Sequence, residues 1–356
     1  MAAEVLGAMY LATMPQYRQA CISCLDEQMG PTVRYYVGEA NMDPSVRTNI
    51  VSNNVVYVRD YRLLGGRLMV MFGKWVEAAT LRTLILDLNP RNLTVWIILF
   101  GRILLRRRTI FWGHLHPREG RLSRTARLRR AVRKLGDGMI CYSYEQQKEA
   151  LEELPRQPVW VAPNALYLEG DIKAGPGVHR DSIVYVGRLA PAKKVELALH
   201  AFSQVLAAHP GLRFVIVGDG SERSRLEAAV RKLGLSGSVE FVGWIADVGE
   251  LSAIYDRAIV SVCPGYAGLS LTQSLGFGVP HIVSRDEPHS PEIELESTGG
   301  VIYFETDDVA ALARTIEEVV LTPPERETRE KFSAHVRATY SAEKMADGLR
   351  EALSSL

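Results

Sequence analysis

The sequence predicts an α/β protein of two doubly wound domains, each a largely parallel sheet with helices on both faces. Three observations carry this. At 356 residues the chain is too long for one simple core, since domains usually hold roughly 100–200 residues. It is 47% hydrophobic and 23% charged, ordinary values for a globular protein, which excludes disordered and fibrous classes. Short apolar runs alternate with helical stretches of about 10–15 residues, the pattern of strands joined by crossover helices.

In chain order, the strands expected in the first half are VLGAMYLA, TVRYYVG, VVYV, TLILDL, TIFWG, GMICYS and PVWVAP. A basic helix is expected over Arg121–Leu135. Pro163–Val178 is rich in Pro and Gly and reads as an inter-domain hinge. The second half alternates more cleanly. SIVYVG (Ser182–Gly187) leads to a helix over Val195–His209, then LRFVIVG (Leu212–Gly218) to a helix over Glu222–Leu233. SVEFVG, a short helix VGELSAIYDRA, and IVSVCP follow. Then come the helix LSLTQSLGFG, the strand PHIVS, VIYF and a helix over Val309–Val320. The expected division is a first domain over 1–168, a second over 169–340, and a helix over 341–356 that packs back on the first.

The net charge of +1 conceals an asymmetry. Residues 1–168 hold 23 Lys and Arg against 14 Asp and Glu, about +9, and the totals of 42 and 41 leave 19 against 27, about −8, for 169–356. A basic half suits a polyanion or a membrane surface. RLSRTARLRRAVRKL, within the basic stretch Arg102–Lys134 that includes Arg118, sets leucines and valine at helical spacing among arginines. That reads as an interfacial helix on anionic lipid. A solvated helix face and RNA binding are the alternatives, and the lack of interleaved aromatics argues against nucleic acid. No apolar run reaches the 18 or so residues of a membrane span. The N-terminus lacks the basic region of a signal peptide. Four cysteines do not make a disulfide framework, which points to a reducing compartment. The expected location is cytoplasmic, peripheral on the inner face of the membrane.

Three glycine-ended strand–helix junctions carry the chemistry, because in a parallel sheet they gather at the carboxyl edge where ligands bind. In VGRLAPAKK, Arg188 leaves the strand and Lys193 stands near the next helix start. Two cations with free helix N–H groups can clamp a diphosphate, although a solvated basic loop looks the same. In VGDGSE, Gly218 and Gly220 permit close backbone approach, or form a plain turn. In CPGYAGLSLTQSLGFGVP, Gly265 and Gly268 precede a helix opened by Leu269 and Ser270, whose N-terminus attracts anions. Glu292, in RDEPHSPEIE, is either a ligand contact or part of an exposed acidic loop.

Taken together, VYVGRLAPAKKVELALHAF, LRFVIVGDGSERSRLEAAVRKLGL, VEFVGWI, GYAGLSLTQSLGFGVPHIVS and SPEIE resemble retaining glycosyltransferases of family 4, in particular those of bacterial surface polysaccharide synthesis. The resemblance implies a GT-B fold, two Rossmann-like domains facing a cleft. It implies a sugar nucleotide donor, a glycan or lipid-linked glycan acceptor, retention of anomeric configuration, and neither cofactor nor metal. Arg188 and Lys193 would bind the diphosphate, and Gly268, Leu269 and Ser270 would give N–H groups to it. Gly218 and Gly220 would admit the donor, Trp244 and Ile245 would border the base, and Glu292 would hold the ribose. The family usually carries two glutamates eight residues apart where this chain has Gly265 and Gln273, so Gln273 meets the sugar without charge. In the first half, MPQYRQACISCL resembles the acceptor loop, with Arg18, and TIFWGHLH places His114 as the donor-sugar contact, with His116 the weaker copy. A strand-end turn would also account for His114. The rival functions are a sugar-nucleotide epimerase of the same fold and a non-catalytic partner subunit.

Overall fold

The computed structural model describes residues 5–39, 48–117, 120–121 and 123–355. They form two compact units: residues 1–168 with 341–356, and residues 169–340. The first unit contains β1 (Gly7–Leu11), α1 (Gln19–Met29), β2 (Val33–Val37), β3 (Val55–Tyr57), β4 (Arg59–Leu63), β5 (Leu68–Phe72) and α2 (Trp75–Thr80). It continues through β6 (Thr83–Asp87), α3 (Leu93–Leu104), β7 (Arg108–Trp112), α4 (Arg124–Arg133), β8 (Gly138–Cys141), α5 (Tyr144–Glu153) and β9 (Val159–Val161).

Seven of these strands form one sheet in the order β3-β2-β1-β6-β7-β8-β9. The central strands are buried on both faces, as GAMYL in β1 illustrates, so they read as continuous apolar runs rather than as alternation. One face is covered by α1, the other by Ala78 of α2, Val95, Ile98 and Leu99 of α3, Val132 of α4 and Ala150 of α5. The strand order reverses between β1 and β6, so the chain segments leaving these two strands part at a switch point.

The antiparallel hairpin β4–β5 was not expected from the sequence. RDYRL is mostly exposed and lacks an apolar face, so period-2 reasoning passes over it. Its turn is legible afterwards: Leu64, Gly65 and Gly66 all have positive φ.

The second unit contains β10 (Ser182–Val186), α6 (Val195–Ala208), β11 (Arg213–Val217), α7 (Arg223–Lys232), β12 (Val239–Gly243), α8 (Val248–Arg257), β13 (Ala258–Cys263) and α9 (Leu269–Gly276). It ends with β14 (His281–Ser284), β15 (Val301–Phe304), α10 (Val309–Leu321) and α11 (Arg326–Tyr340). Its six strands are all parallel, in the order β12-β11-β10-β13-β14-β15, with the switch point between β10 and β13. The helix α11 escaped the sequence reading because the only large apolar side chains in RETREKFSAHVRATY are Phe332, Val336 and Tyr340, which recur every four residues and are buried.

The final helix, α12 (Ala342–Ser354), belongs to the first unit. Met345, Ala346, Leu349, Ala352 and Leu353 join its core beside α1. Gly348 allows the helix to close on β9: a Cβ there would stand 1.9 Å from the Val161 carbonyl oxygen.

The basic stretch is corrected in two places. Arg102 and Arg133, expected on a lipid-facing surface, are buried at 0% and 1% exposure. Arg102 donates to Thr109 Oγ1 at 3.0 Å and to the carbonyls of Ala78 and Leu81 at 2.7 and 2.9 Å. Desolvation pushes its pKa down to about 10. Arg133 meets Glu153 at 3.1 Å and the Ala150 carbonyl at 3.0 Å. The helical spacing did not reveal this, because it cannot tell an arginine that pins backbone carbonyls from one in solvent. Arg106, Arg107, Arg127, Arg130 and Lys134 are exposed. Arg118 lies outside the described residues. No helix among those residues is long and apolar enough to cross a membrane.

Candidate active site

In the second unit, the carboxyl ends of β10, β11, β13 and β14 are tied into one run of loops. It begins at Gly218, whose N–H donates to the Gly243 carbonyl at 2.7 Å. Gly218 has φ of +129°, and a Cβ there would lie 1.9 Å from the Gly187 carbonyl oxygen. Gly220 presses likewise on Leu189, whose N–H reaches the Asp219 carbonyl at 2.9 Å. The VGR loop is thus seated on the VGDG loop, with Arg188 exposed at its tip and the Tyr185 hydroxyl donating to the Arg188 carbonyl.

Five residues on, Lys193 ends a short 3₁₀ turn, Pro191–Lys193. Its Nζ donates to the Tyr266 carbonyl at 2.6 Å and lies 5.3 Å from the Tyr266 ring centroid. The N–H groups of Gly265 and Tyr266 donate back to the carbonyls of Lys193 and Ala192, both at 3.1 Å. A Cβ on Gly265 would stand 2.1 Å from the Ala192 oxygen. The glycine that replaces the first family glutamate is therefore where two backbones touch.

The run continues through Ala267, whose N–H donates to His289 Nδ1 at 3.0 Å while the Ser290 N–H donates to the Ala267 carbonyl. His289 Nε2 is 2.6 Å from the Ser284 carbonyl. Accepting at Nδ1 and donating at Nε2 requires the neutral ring, and burial lowers the His289 pKa. Gly268 precedes α9 with no side-chain cap, which leaves first-turn N–H groups able to meet an anion. Leu269 and Ser270 are half-buried there, with Ser270 beside the Cys263 thiol. Gln273, one turn on, is 8% exposed, and Glu292 is fully buried in the 3₁₀ turn Pro291–Thr298. Trp244 stands at the far end, 68% exposed, with Ile245 half-buried beside it.

Reading the sequence did not assign Tyr266 or His289, which hold these loops together. His289 was visible between two prolines, but its hydrogen bonds come from tertiary packing.

At the carboxyl edge of the first unit, a second cluster forms. Arg18, just after β1, is 8% exposed. Its guanidinium lies 4.5 Å from the Trp112 ring centroid and donates to the Tyr142 hydroxyl at 2.9 Å. The His114 ring is 4.8 Å from that of Tyr142, so Tyr142 joins Arg18 to His114. Asp87, ending β6, accepts from the Ala12 N–H at 2.5 Å. Desolvation raises its pKa to about 6 despite Arg18 and Arg129. Desolvation, reinforced by those arginines, lowers the His114 pKa to about 4. His116 is instead held by Glu149 at 3.1 Å.

These histidines set a pH response. His281, buried against the Ser261 hydroxyl at 2.9 Å, has its pKa lowered by desolvation from 6.5 to about 3. His114 falls from 6.5 to about 4. A depressed histidine leaves the unfolded chain holding more protons, so stability present above 6.5 is lost as pH falls, at about 1.4 kcal/mol per pH unit per group. Asp87 runs the other way below about 6 and offsets one of them. The melting temperature is therefore expected to fall between pH 6.5 and 5, and a flat profile contradicts these burials.

The comparisons with known proteins speak to the family and the fold. The sequence profile of the family described as glycosyl transferases group 1 matches residues 173–354, just over half of the chain. An exopolysaccharide phosphotransferase of Streptomyces coelicolor is 34% identical over 143 residues, covering 39% of this chain and 15% of that protein. The lipopolysaccharide core biosynthesis glycosyltransferase LpsE of Rhizobium meliloti is 28% identical over 138 residues, 39% of either chain. The chain thus spans well under half the length of these curated relatives. The crystal structure of HepE of Anabaena in complex with UDP aligns with a TM-score of 0.68 at 15% identity, covering 98% of this chain and 100% of that one. At that identity the likeness speaks for the fold, the GT-B pairing of two Rossmann-like domains. By its profile match, the chain belongs to the glycosyl transferases group 1 family.

Proposed function

We propose that this protein moves a sugar from a nucleotide-diphosphate donor to a hydroxyl of a glycan or lipid-linked glycan, with retention at the anomeric carbon. The observation that carries the reading is the continuous run of loops from Gly218 through Arg188, Lys193 and Gly268 to Glu292 at one switch point. The relatives' names and the UDP bound by HepE support a sugar-nucleotide donor.

In this reading the bond from the anomeric carbon to the diphosphate oxygen breaks, and the acceptor oxygen bonds to that carbon on the same face. A donor phosphate oxygen takes the acceptor's proton, and a nucleoside diphosphate leaves. Arg188, Lys193 and the first N–H groups of α9 hold the charge that grows on the diphosphate. Gly218 and Gly220 admit the donor to the backbone. Trp244 and Ile245 border the base, Glu292 the ribose, and Gln273 offers its amide to a sugar hydroxyl. His114, neutral at pH 7, offers a hydrogen bond to the sugar, and Arg18 serves the acceptor. A lipid-linked acceptor places the protein peripherally at the cytoplasmic face of a membrane.

A thermal-shift screen with UDP, GDP, TDP and CMP tests this. One nucleoside diphosphate is expected to stabilise selectively, by about 2.7 kcal/mol at a hundred times its Kd. No response to any nucleotide removes the donor site. The second reading, a non-catalytic nucleotide-binding subunit, is favoured by Gly265: its contact with Ala192 leaves no room for a carboxylate. Stabilisation by a nucleotide with no transfer from its sugar conjugates selects that reading.

A further inference from the structure

The helix α3 is apolar on every side, yet only half of it is buried. Val95, Ile98 and Leu99 face the sheet together with Arg102. On the opposite stripe Ile97 is 48% exposed, Phe100 53%, Ile103 45% and Leu104 84%, with Leu105 just beyond at 51%. Positions 97, 100 and 104 lie on one face of the helix. A helix apolar all round belongs in a core or against an apolar partner. The surface continues sideways: Gly101 of α3 would carry its Cβ 3.8 Å from that of Ala79 in the adjoining α2, where Val76 is 79% exposed.

The charge that follows this face along the chain has one sign, and Glu77 of the adjoining α2 is paired with Lys74 at 2.9 Å. From Leu88 to Arg118 the sequence contains no Asp or Glu, while Arg106 and Arg107 follow the apolar stripe and are exposed. A second copy docking on the same face about a two-fold axis would bring these arginines toward one another. An anionic lipid surface accepts both parts, with apolar side chains at the acyl boundary and arginines among the headgroups.

We propose that the protein docks on anionic membrane through α3, with Ile97, Phe100, Ile103 and Leu104 entering the interface and Arg106 and Arg107 contacting headgroups. This moves the membrane contact away from the internally engaged Arg102 and Arg133. The proposal deepens the peripheral location in the reading above and stands independently of sugar transfer.

The test is co-sedimentation of the full chain with phosphatidylcholine vesicles, with and without phosphatidylglycerol. The wild type is expected to pellet with the anionic vesicles only. Leu104→Glu is expected to lower partitioning at least about tenfold, and Arg106→Ala with Arg107→Ala roughly 30-fold at low salt. Val178→Glu, at a position 90% exposed in the second unit, is expected to bind like wild type. Melting temperatures matching wild type establish that each variant is folded. Equal binding to both vesicle types, unchanged binding by Leu104→Glu, or a dimer in solution that Leu104→Glu dissociates overturns the proposal. Because nucleotide stabilisation is read separately, loss of membrane binding leaves the sugar-transfer reading to its own test.

Discussion

Arg188→Ala is expected to reduce transfer by about 10²–10³ while leaving the fold intact, measured with the sugar nucleotide whose base the shift screen selects. Such factors are typical when one preorganised contact to developing charge is removed. The fold survives because Arg188 is exposed and its loop is fixed by backbone contacts with Gly218 and Gly220. Lys193→Ala is expected to match it in rate and to cost some stability as well, because its Nζ also holds the Tyr266 carbonyl. In both variants the effect should fall on the rate of transfer, with nucleotide stabilisation reduced in parallel. Wild-type turnover in both removes these cations from the proposed mechanism.

Gly265→Glu, which writes back the glutamate of the family pattern, is expected to damage the protein rather than improve it. The new Cβ would lie 2.1 Å from the Ala192 oxygen and 2.9 Å from the Lys193 carbonyl carbon, so the lysine loop has to move. Overpacking against backbone costs roughly 1–3 kcal/mol or more, and transfer should fall with it. Gly218→Ala adds a second penalty, since φ of +129° is unsuited to an L side chain and the Cβ meets the Gly187 oxygen at 1.9 Å. Gly211→Ala, where a Cβ meets nothing within 4 Å, is the control and should melt like wild type. The measurement is the melting temperature of each variant. If Gly265→Glu melts with the control, the contact that separates this chain from the family pattern is not a constraint.

The strands of both sheets were legible because parallel strands, the central ones buried on both faces, are short apolar blocks, several of them closed by glycine, and helices between them repeat at 3.6. The hairpin β4–β5 and the helix α11 were not, since neither presents a periodic apolar face along most of its length. The glycine-ended junctions announced a ligand edge, and the structure gathers Arg188, Lys193, Gly218, Gly220, Gly268 and Glu292 along one loop run. Tyr266 and His289, which hold these loops together, and Tyr142, which joins Arg18 to His114 in the first unit, left no mark because their roles are hydrogen bonds and ring contacts between segments distant in sequence.

By itself, the order of residues determined the α/β class, the strand–helix series and the position of each cation relative to a strand end, because these depend on local periodicity and on backbone freedom at glycine. Only the tertiary structure decided which arginines are internal and which glycines are mandatory. Those answers depend on what lies across the gap: carbonyl groups that have lost water and need a donor at Arg102, and a neighbouring backbone too near for any Cβ at Gly218 and Gly265.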